Sequence, residues 1–275
     1  MGSARPEGSF VTAHGNTAKP ILGLVLSGGG ARGIAHIGVI KALQERGIVP
    51  DMIAGSSSGA IVGALAAAGH STETMLEFFR TRSPFRLKMV TVRKAGIIDT
   101  VKVVESLREY FPEDSFEALD TRLYLTATEI ARGRLTIFES GPLTPAILAS
   151  CSIPMVFTPT TIAGRQYVDG GVINNFPVEP LRGHCDVIVG HYASPLRAVQ
   201  AADVDGALAV SQRALEIAMY FSSRRKFYQC DVMICPPRLS DFGLFDMKNH
   251  QEIFETGYEA TLGQLDEIEQ ALAGA

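Results

Sequence analysis

The sequence predicts an α/β protein in which helices cover a largely parallel sheet. Apolar runs bounded by turn residues alternate along the chain with segments of helical periodicity, as strand–helix–strand units require. The first run, ILGLVLS at 21–27, is apolar throughout, which indicates a strand buried on both faces. Hydrophobic residues make up 46% of the 275 residues and charged residues 20%, so the chain can form a sizeable core.

Two strand–helix pairs make the first part of the predicted sheet. The strand at 21–27 stops at glycines, and the helix that follows over 35–47 ends at a glycine with Pro50 beyond it. A second short run at 52–56 precedes a helix of small residues over 60–70. Because this second helix is apolar on nearly every side, we expect it to be buried.

The later elements follow the same alternation. Two runs around a short turn predict paired strands, and a helix is expected to end at Pro154. Two more apolar runs predict strands, and two long periodic segments predict helices. The ranges are 123–131 and 135–139 for the paired strands, 145–154 for the helix, 166–171 and 186–193 for the strands, and 204–229 and 247–272 for the last helices.

We predict one domain over residues 20–275, because no linker rich in Pro, Gly or Ser divides the chain. The motifs described below lie within 21–193, and a helical part covers 204–272. Residues 1–19 are small and polar and predict a flexible tail.

Composition restricts the function. With 25 basic and 29 acidic residues the net charge is −4, whereas a dedicated nucleic-acid binder would show a basic excess. The four cysteines lack metal-ligand spacing and are expected to be reduced core thiols, and no metal or other cofactor is predicted.

No apolar run reaches the roughly 18 residues of a membrane-spanning helix. The first residues lack the apolar core of a secretory signal, so we expect a cytoplasmic protein.

A glycine-rich turn, Ser27-Gly28-Gly29-Gly30-Ala31-Arg32-Gly33, joins the first strand to the first helix. Amides at a helix N-terminus attract anions, and glycines let a ligand approach the backbone. The letters also fit the dinucleotide fingerprint. That fingerprint needs an acid at the end of the second strand, whereas Asp51 stands before the run at 52–56. A nucleotide site is therefore disfavoured.

A second motif, Gly55-Ser56-Ser57-Ser58-Gly59, lies between the second strand and its helix. It fits G-x-S-x-G, in the strand–turn–helix context that a nucleophile elbow requires. The side chain of Ser57 would then project from a tight turn and act as the nucleophile. The amide of Ser58 would be available to bind an oxyanion. The alternative is a structural turn in which Ser56 or Ser58 caps the helix.

A serine nucleophile needs a base. His36 is expected to be a hydrogen-bonded core residue, whereas His184 and His191 bracket a strand and keep a Ser-Asp-His arrangement open. The segment Asp169-Gly170-Gly171 follows a strand, so its carboxylate is expected at a strand end. Taken alone, this segment is also a common turn between strands.

The three motifs in this order resemble the bacterial patatin-like phospholipases. Two further blocks are similar to segments of that family, ASCSIPMVFTP at 149–159 and Asn174-Asn175-Phe176-Pro177. A looser similarity extends to Phe245-Asp246 and residues 257–260. The resemblance covers about 21–193. It implies a three-layer α/β/α fold with a mostly parallel central sheet, related to the fold of acyl-carrier-protein acyltransferases and lysophospholipases.

The resemblance also implies a serine acyl hydrolase that cleaves fatty-acyl esters of phospholipids or lysophospholipids. Ser57 is the implied nucleophile and Asp169 the base, without help from histidine. The implied oxyanion hole consists of the amides of Gly28, Gly29, Gly30 and Ser58, and the implied supporting residues are Arg32, Gly33, Gly55, Gly59, Gly170 and Gly171.

Two segments combine aromatic and basic residues, as a membrane-contacting element would. Residues 78–94 predict a lid or interfacial segment, and residues 220–228 repeat this composition. The alternative is a pair of ordinary helices with buried aromatic residues and solvated cations. The expected partner is thus a lipid acyl ester, and no nucleic acid is expected. Peripheral contact with an inner membrane and formation of a homodimer stay open.

Two further functions stay open. An acyltransferase or thioesterase would use the same nucleophile, and a non-catalytic module would bind a lipid or a nucleotide. Reaction of Ser57 with a fluorophosphonate distinguishes an enzyme from such a module.

Overall fold

The fold is built on a central sheet, which a computed structural model describes over residues 19–84 and 100–275. The strands of the sheet are β1 (Leu22–Leu26), β2 (Met52–Ser56), β3 (Arg122–Glu129), β4 (Arg134–Phe138), β5 (Thr160–Ile162), β6 (Arg165–Asp169), β7 (Val187–His191) and β8 (Val232–Ile234). The helices in these ranges are α1 (Ile34–Glu45), α2 (Ser58–Ala67), α3 (Thr72–Thr81), α4 (Thr100–Tyr110), α5 (Leu143–Ser150), α6 (Gly171–Asn174), α7 (Ala207–Arg224), α8 (His250–Leu262) and α9 (Leu265–Ala273). Residues 1–18 of the predicted tail lie outside the described residues.

The sheet is mixed and mostly parallel, as the sequence predicts. Its strand order is β5-β6-β3-β2-β1-β7-β8, with β4 paired to β3. The pairs β1–β2, β1–β7, β2–β3 and β7–β8 are parallel. The pairs β3–β4, β3–β6 and β5–β6 are antiparallel. The antiparallel part therefore gathers around β3.

Helical layers cover both faces of the sheet. Successive side chains of a strand point to opposite faces. In β1, Leu24 and Leu26 pack into the larger apolar cluster with α1, α2 and α5. Val25 packs on the other face with Phe176 and Tyr192. Every residue of β1 is buried, which explains its continuously apolar sequence.

Several element ends differ from the prediction. The helix expected to reach Pro154 ends at Ser150, because the amides of Asp169 and Gly170 bind the carbonyls of Ser152 and Ser150 and fix the chain there. The long helix predicted over 247–272 is interrupted at 263–264 and forms α8 and α9. Helices α3 and α4 and the short strands β5 and β8 were not predicted.

The aromatic residues at the start of the predicted lid are core residues. Phe78 and Phe79 are fully buried and meet edge to face. The lid interpretation is therefore wrong for these two side chains, whereas residues 85–94 lie outside the described residues. In the second aromatic segment Phe227 packs on Phe176, but Tyr228 is 82% exposed.

Three further findings concern the cysteines, the helices and the metal-ligating side chains. All four cysteines are free; Cys151 is buried, and the other three are partly buried and pack against the second apolar cluster, so the expectation of core thiols is confirmed fully for Cys151 and in part for the others. Over residues 19–84 and 100–275 no helix is both long and apolar enough to cross a membrane. No group of three metal-ligating side chains occurs in those same ranges.

Candidate active site

The register of β3 brings two strand ends together. The last residue of β2, Ser56, lies opposite Thr126, and the last residue of β6, Asp169, lies opposite Ala127. The pairing of β4 with β3 overlaps both stretches, so β2 and β6 must share the other edge of β3. Because β2 and β6 run in opposite directions along that edge, their ends face each other. Ser57 and Asp169 therefore meet where the two strands end.

The backbone at Ser57 makes a strained turn. Its φ is 53° and its ψ −122°, a conformation that costs a non-glycine residue about 1–3 kcal/mol. Two neighbours at the end of α5 hold the turn. The Ser57 amide donates to Ser150 Oγ at 2.9 Å, and the Cys151 thiol donates to the Ser57 carbonyl at 3.2 Å.

The glycines around this turn permit close packing. A Cβ on Gly55 would lie 2.5 Å from the carbonyl oxygen of Gly59, and one on Gly59 would lie 2.3 Å from that of Leu26. A Cβ on Gly33 would lie 2.3 Å from Ser58 Oγ. The elbow, β1 and the glycine-rich turn can therefore approach only without these side chains.

The Asp169 carboxyl group is buried, with 5% of the residue exposed. Burial raises its pKa to about 6, whereas hydrogen bonds from the Ser57 hydroxyl and the Gly171 amide act in the opposite direction. The Gly171 amide donates to Oδ1 at 2.7 Å. A Cβ on Gly170 would lie 2.4 Å from the Thr126 carbonyl oxygen, so this position also needs a glycine. The carboxylate is thus oriented toward Ser57 from a site that disfavours its charge.

The glycine-rich turn offers two amides, and the predicted role of Gly28 needs correction. The Gly28 amide donates to the Asn175 carbonyl at 3.1 Å, so it has no hydrogen left for an oxyanion. The amides of Gly29 and Gly30 make no hydrogen bond to any residue in the ranges 19–84 and 100–275. Gly30 adopts φ +59°, and a Cβ there would lie 2.3 Å from the Leu244 carbonyl oxygen.

Two further predicted residues border this turn. Arg32 is 8% exposed, and its Nε donates to the Gly29 carbonyl at 3.4 Å. Burial lowers the pKa of its guanidinium, and the Glu216 carboxylate acts in the opposite direction. Ser58 begins α2, where the first amides of a helix have no intrahelical acceptor.

Two histidines form a buried pair beneath the glycine-rich turn. His36 Nε2 lies 2.8 Å from the Ser27 carbonyl, and His36 Nδ1 lies 2.5 Å from His191 Nδ1. Since a carbonyl only accepts, His36 Nε2 carries the proton and His191 donates to His36. Burial lowers the pKa of His36 to about 4 and that of His191 well below its ordinary value, so both rings are neutral at pH 7.

The prediction of a hydrogen-bonded core residue at His36 is confirmed, and neither member of this pair borders the cavity at Ser57. His184 is exposed and precedes the first residue of β7. It therefore lies at the starts of the parallel strands, whereas Ser57 lies at their ends. Ser57 and Asp169 border the cavity together, whereas no histidine does so in the described part of the chain, so the geometry gives no support to a Ser-His pairing.

A cavity of about 270 Å³ opens over the two strand ends. Ser57, Asp169, Gly29, Gly30 and Arg32 border it. Much of the remaining wall is apolar and includes Ile153, Val172, Leu215, Met219, Phe242 and Leu244. A hydroxyl beside a buried carboxyl group, two amides without a partner among the described residues, and an apolar wall are the elements that transfer of an apolar acyl group needs.

Sequence reasoning assigned no role to Ser150, Asn175 or the cavity-facing side of α7. Ser150 and Asn175 lie inside the two blocks that resemble the phospholipase family, so a signal was present. Their partners, Ser57 and Gly28, are distant in sequence, and only the folded chain reveals these contacts.

Comparison with protein families gives one clear match. A family model described as "Patatin-like phospholipase" matches residues 24–182, more than half of the chain. An uncharacterized NTE family protein of Mycobacterium tuberculosis is 38% identical over 169 residues, which are 61% of this chain and 47% of that protein. A lysophospholipase of Aspergillus fumigatus is 33% identical over 171 residues, 59% of this chain and 11% of that protein. The chain thus spans about half the length of this mycobacterial relative.

Solved structures share the fold. VipD from Legionella pneumophila superposes with a TM-score of 0.53 at 16% identity, covering 90% of this chain and 67% of its own. Human GIVD cytosolic phospholipase A2, in complex with methyl γ-linolenyl fluorophosphonate, gives 0.53 at 12% identity and covers 93% of this chain and 59% of its own. At such identities the similarity shows the fold alone.

Proposed function

Because the chain belongs to the patatin-like phospholipase family, we propose that it is a serine acyl hydrolase acting on fatty-acyl esters of phospholipids or lysophospholipids. Family membership supports hydrolysis of lipid esters in general. The finer choice rests on the site and on one relative, which is named a lysophospholipase.

In the proposed mechanism Ser57 Oγ attacks the acyl carbonyl carbon while Asp169 accepts the hydroxyl proton. The carbonyl oxygen becomes an oxyanion that the amides of Gly29, Gly30 and Ser58 bind. The tetrahedral intermediate collapses, the ester oxygen leaves with the proton from Asp169, and the acyl group stays on Ser57. Water then attacks the acyl-enzyme and gives a proton to Asp169. The second tetrahedral intermediate collapses, the fatty acid leaves, and Ser57 Oγ takes that proton back from Asp169.

The raised pKa makes Asp169 suited to this role. A carboxylate with a pKa about two units above its ordinary value holds a proton more strongly, yet is about 90% ionised at pH 7.

Each well-directed oxyanion donor contributes about 3 kcal/mol to stabilisation of the transition state. Arg32 positions the turn that carries two of these donors, through its bond to the Gly29 carbonyl.

The observation that carries the proposal is the convergence of Ser57 and Asp169 at two facing strand ends that border an apolar cavity, where the Ser57 hydroxyl acts on the pKa of the buried Asp169 carboxyl group. The apolar wall gives an acyl chain a place next to the reacting hydroxyl. The proposal needs no histidine, because the Asp169 carboxylate at the facing strand end serves as the base.

Profiling of lipid products tests the proposal. Wild-type protein incubated with phospholipid and lysophospholipid vesicles should release free fatty acid, and Ser57→Ala should release none. Ser56→Ala is the matched control, because its buried hydroxyl has no hydrogen-bond partner in the described part of the chain. Fatty-acid release by Ser57→Ala would refute the proposal, and transfer of the acyl group to an added alcohol would favour an acyltransferase.

A further inference from the structure

Helix α7 turns an apolar face toward solvent. Val210, Ile217 and Phe221 are 52%, 38% and 50% exposed. Ala214 and Ala218 are also exposed. Their spacing of three, four and seven residues places all five on one side of the helix. We call these five residues the outer stripe of α7. A surface helix normally turns its apolar side inward, so the stripe needs a partner.

The opposite side of α7 forms a wall of the cavity at Ser57. Leu215, Glu216 and Met219 border the cavity. Met219 Cε lies 2.7 Å from the place that a Cβ on Gly171 would occupy, so it reaches the turn after Asp169. A helix with its side chains is about 10 Å thick. Whatever contacts the outer stripe therefore lies about one helix diameter from the reacting groups.

Positive charge accompanies the stripe. Arg224 and Arg225 follow it at the C-terminal end of α7, on the same side of the helix, and both are exposed. Neither makes an ion pair with any residue that the structure describes. From 207 to 229 the sequence has four cationic residues and one acidic residue, although the whole chain carries a net charge of −4. The segment thus carries a local charge of opposite sign to that of the chain.

We propose that the outer stripe of α7, with Arg224 and Arg225, docks the protein on an anionic lipid bilayer. An apolar helix face with flanking cations is the pattern of interfacial helices. A second copy of the chain would bring the same positive segment against itself, which like charges disfavour. The stripe also offers five residues, whereas a stable protein interface uses roughly 20–30 residues on each side. The purpose of the docking rests on the proposed function, since a lipid ester lies in a bilayer, but binding itself does not require Ser57.

Vesicle flotation with the full chain tests the docking. The Ser57→Ala protein is used so that the lipid stays intact, with vesicles of phosphatidylcholine alone or mixed with phosphatidylglycerol. Binding should require phosphatidylglycerol and weaken in high salt. Phe221→Ser should weaken binding about tenfold, from the loss of a large apolar side chain. Replacing Arg224 and Arg225 together with Gln should weaken it about thirtyfold.

A pair of valines gives the matched control. Val210 and Val49 are 52% and 53% exposed. Val49 precedes the first residue of β2, whereas Ser57 follows its last residue, so the two lie at opposite ends of this strand. Val210→Ser should weaken vesicle binding about fivefold, and Val49→Ser should leave it unchanged. Arg182→Gln, an exposed arginine before β7, controls for the loss of a positive charge.

Two further readouts separate the possible failures. Stripe variants made with Ser57 intact should hydrolyse a soluble short-chain ester at the wild-type rate, which shows that they fold. Equal vesicle binding by Val210→Ser and Val49→Ser, or a stripe variant that lowers the oligomeric mass in light scattering instead, would overturn the docking. Vesicle binding without ester hydrolysis by the wild type would instead refute the proposed function and leave the docking intact.

Discussion

Asp169→Asn should abolish ester hydrolysis and also make the folded protein more stable than the wild type at alkaline pH. Burial raises the Asp169 pKa from 3.8 to about 6, so the fold disfavours the ionised carboxylate. This shift corresponds to about 3 kcal/mol of unfolding free energy. Asparagine has nearly the same shape, carries no charge, and can still accept the Gly171 amide hydrogen bond of 2.7 Å. The substitution therefore removes both the free-energy cost of burying a charged carboxylate and the base that the reaction needs.

The gain in stability should depend on pH. Well below pH 4 the carboxyl group is protonated in both the folded and the unfolded chain, so wild type and Asp169→Asn should be nearly equal. As the pH rises from about 4 to about 6, the unfolded chain loses its proton first, and the wild type loses stability relative to the variant. Above about pH 7 the difference should be complete.

Urea unfolding followed by circular dichroism at several pH values from 4 to 8 measures this difference. Asp205→Asn is the control, because Asp205 is exposed and its replacement should not change stability by more than a few tenths of a kcal/mol. Equal or lower stability of Asp169→Asn at pH 8 would refute the claim that burial raises the pKa of this carboxyl group.

Three other outcomes follow from the same contacts. The rate constant kcat/KM for a soluble ester should fall as the pH drops through about 6, since Asp169 must be ionised; a profile flat across this range would exclude it as the base. Ser150→Ala should lower kcat and cost about 1–3 kcal/mol of stability in urea unfolding, because the Ser57 amide loses its acceptor; wild-type kcat would contradict this role. His36→Phe should cost a similar amount, because the Ser27 carbonyl loses its donor; unchanged stability and turnover would show that the glycine-rich turn does not need this bond.

Local patterns predict the first part of the fold well. β1, α1, β2 and α2 begin and end near the predicted residues, because each stops at a glycine or a serine turn with a strong conformational preference. Strands β5 and β8 have only three residues each, too few to show a period of two. The interruption between α8 and α9 falls at Gly263-Gln264, in a segment whose apolar pattern continues through it.

The meeting of Ser57 and Asp169 could not be derived from local sequence. It depends on β6 running antiparallel along the same edge of β3 that β2 occupies, and register is a property of the assembled sheet. Only the resemblance to a family joined the two residues beforehand. The Gly28 amide shows the same limit, because its acceptor at Asn175 is contributed by a distant part of the chain.

Fluorophosphonate labelling, read by mass spectrometry of the labelled peptide, tests the Ser57–Asp169 pair most directly. The wild type should be labelled at Ser57, faster at pH 8 than at pH 5, because the carboxylate must be ionised to accept the hydroxyl proton. Asp169→Asn, folded by circular dichroism, should react at a small fraction of the wild-type rate at both pH values. Labelling of Ser57 in Asp169→Asn at the wild-type rate would contradict the account.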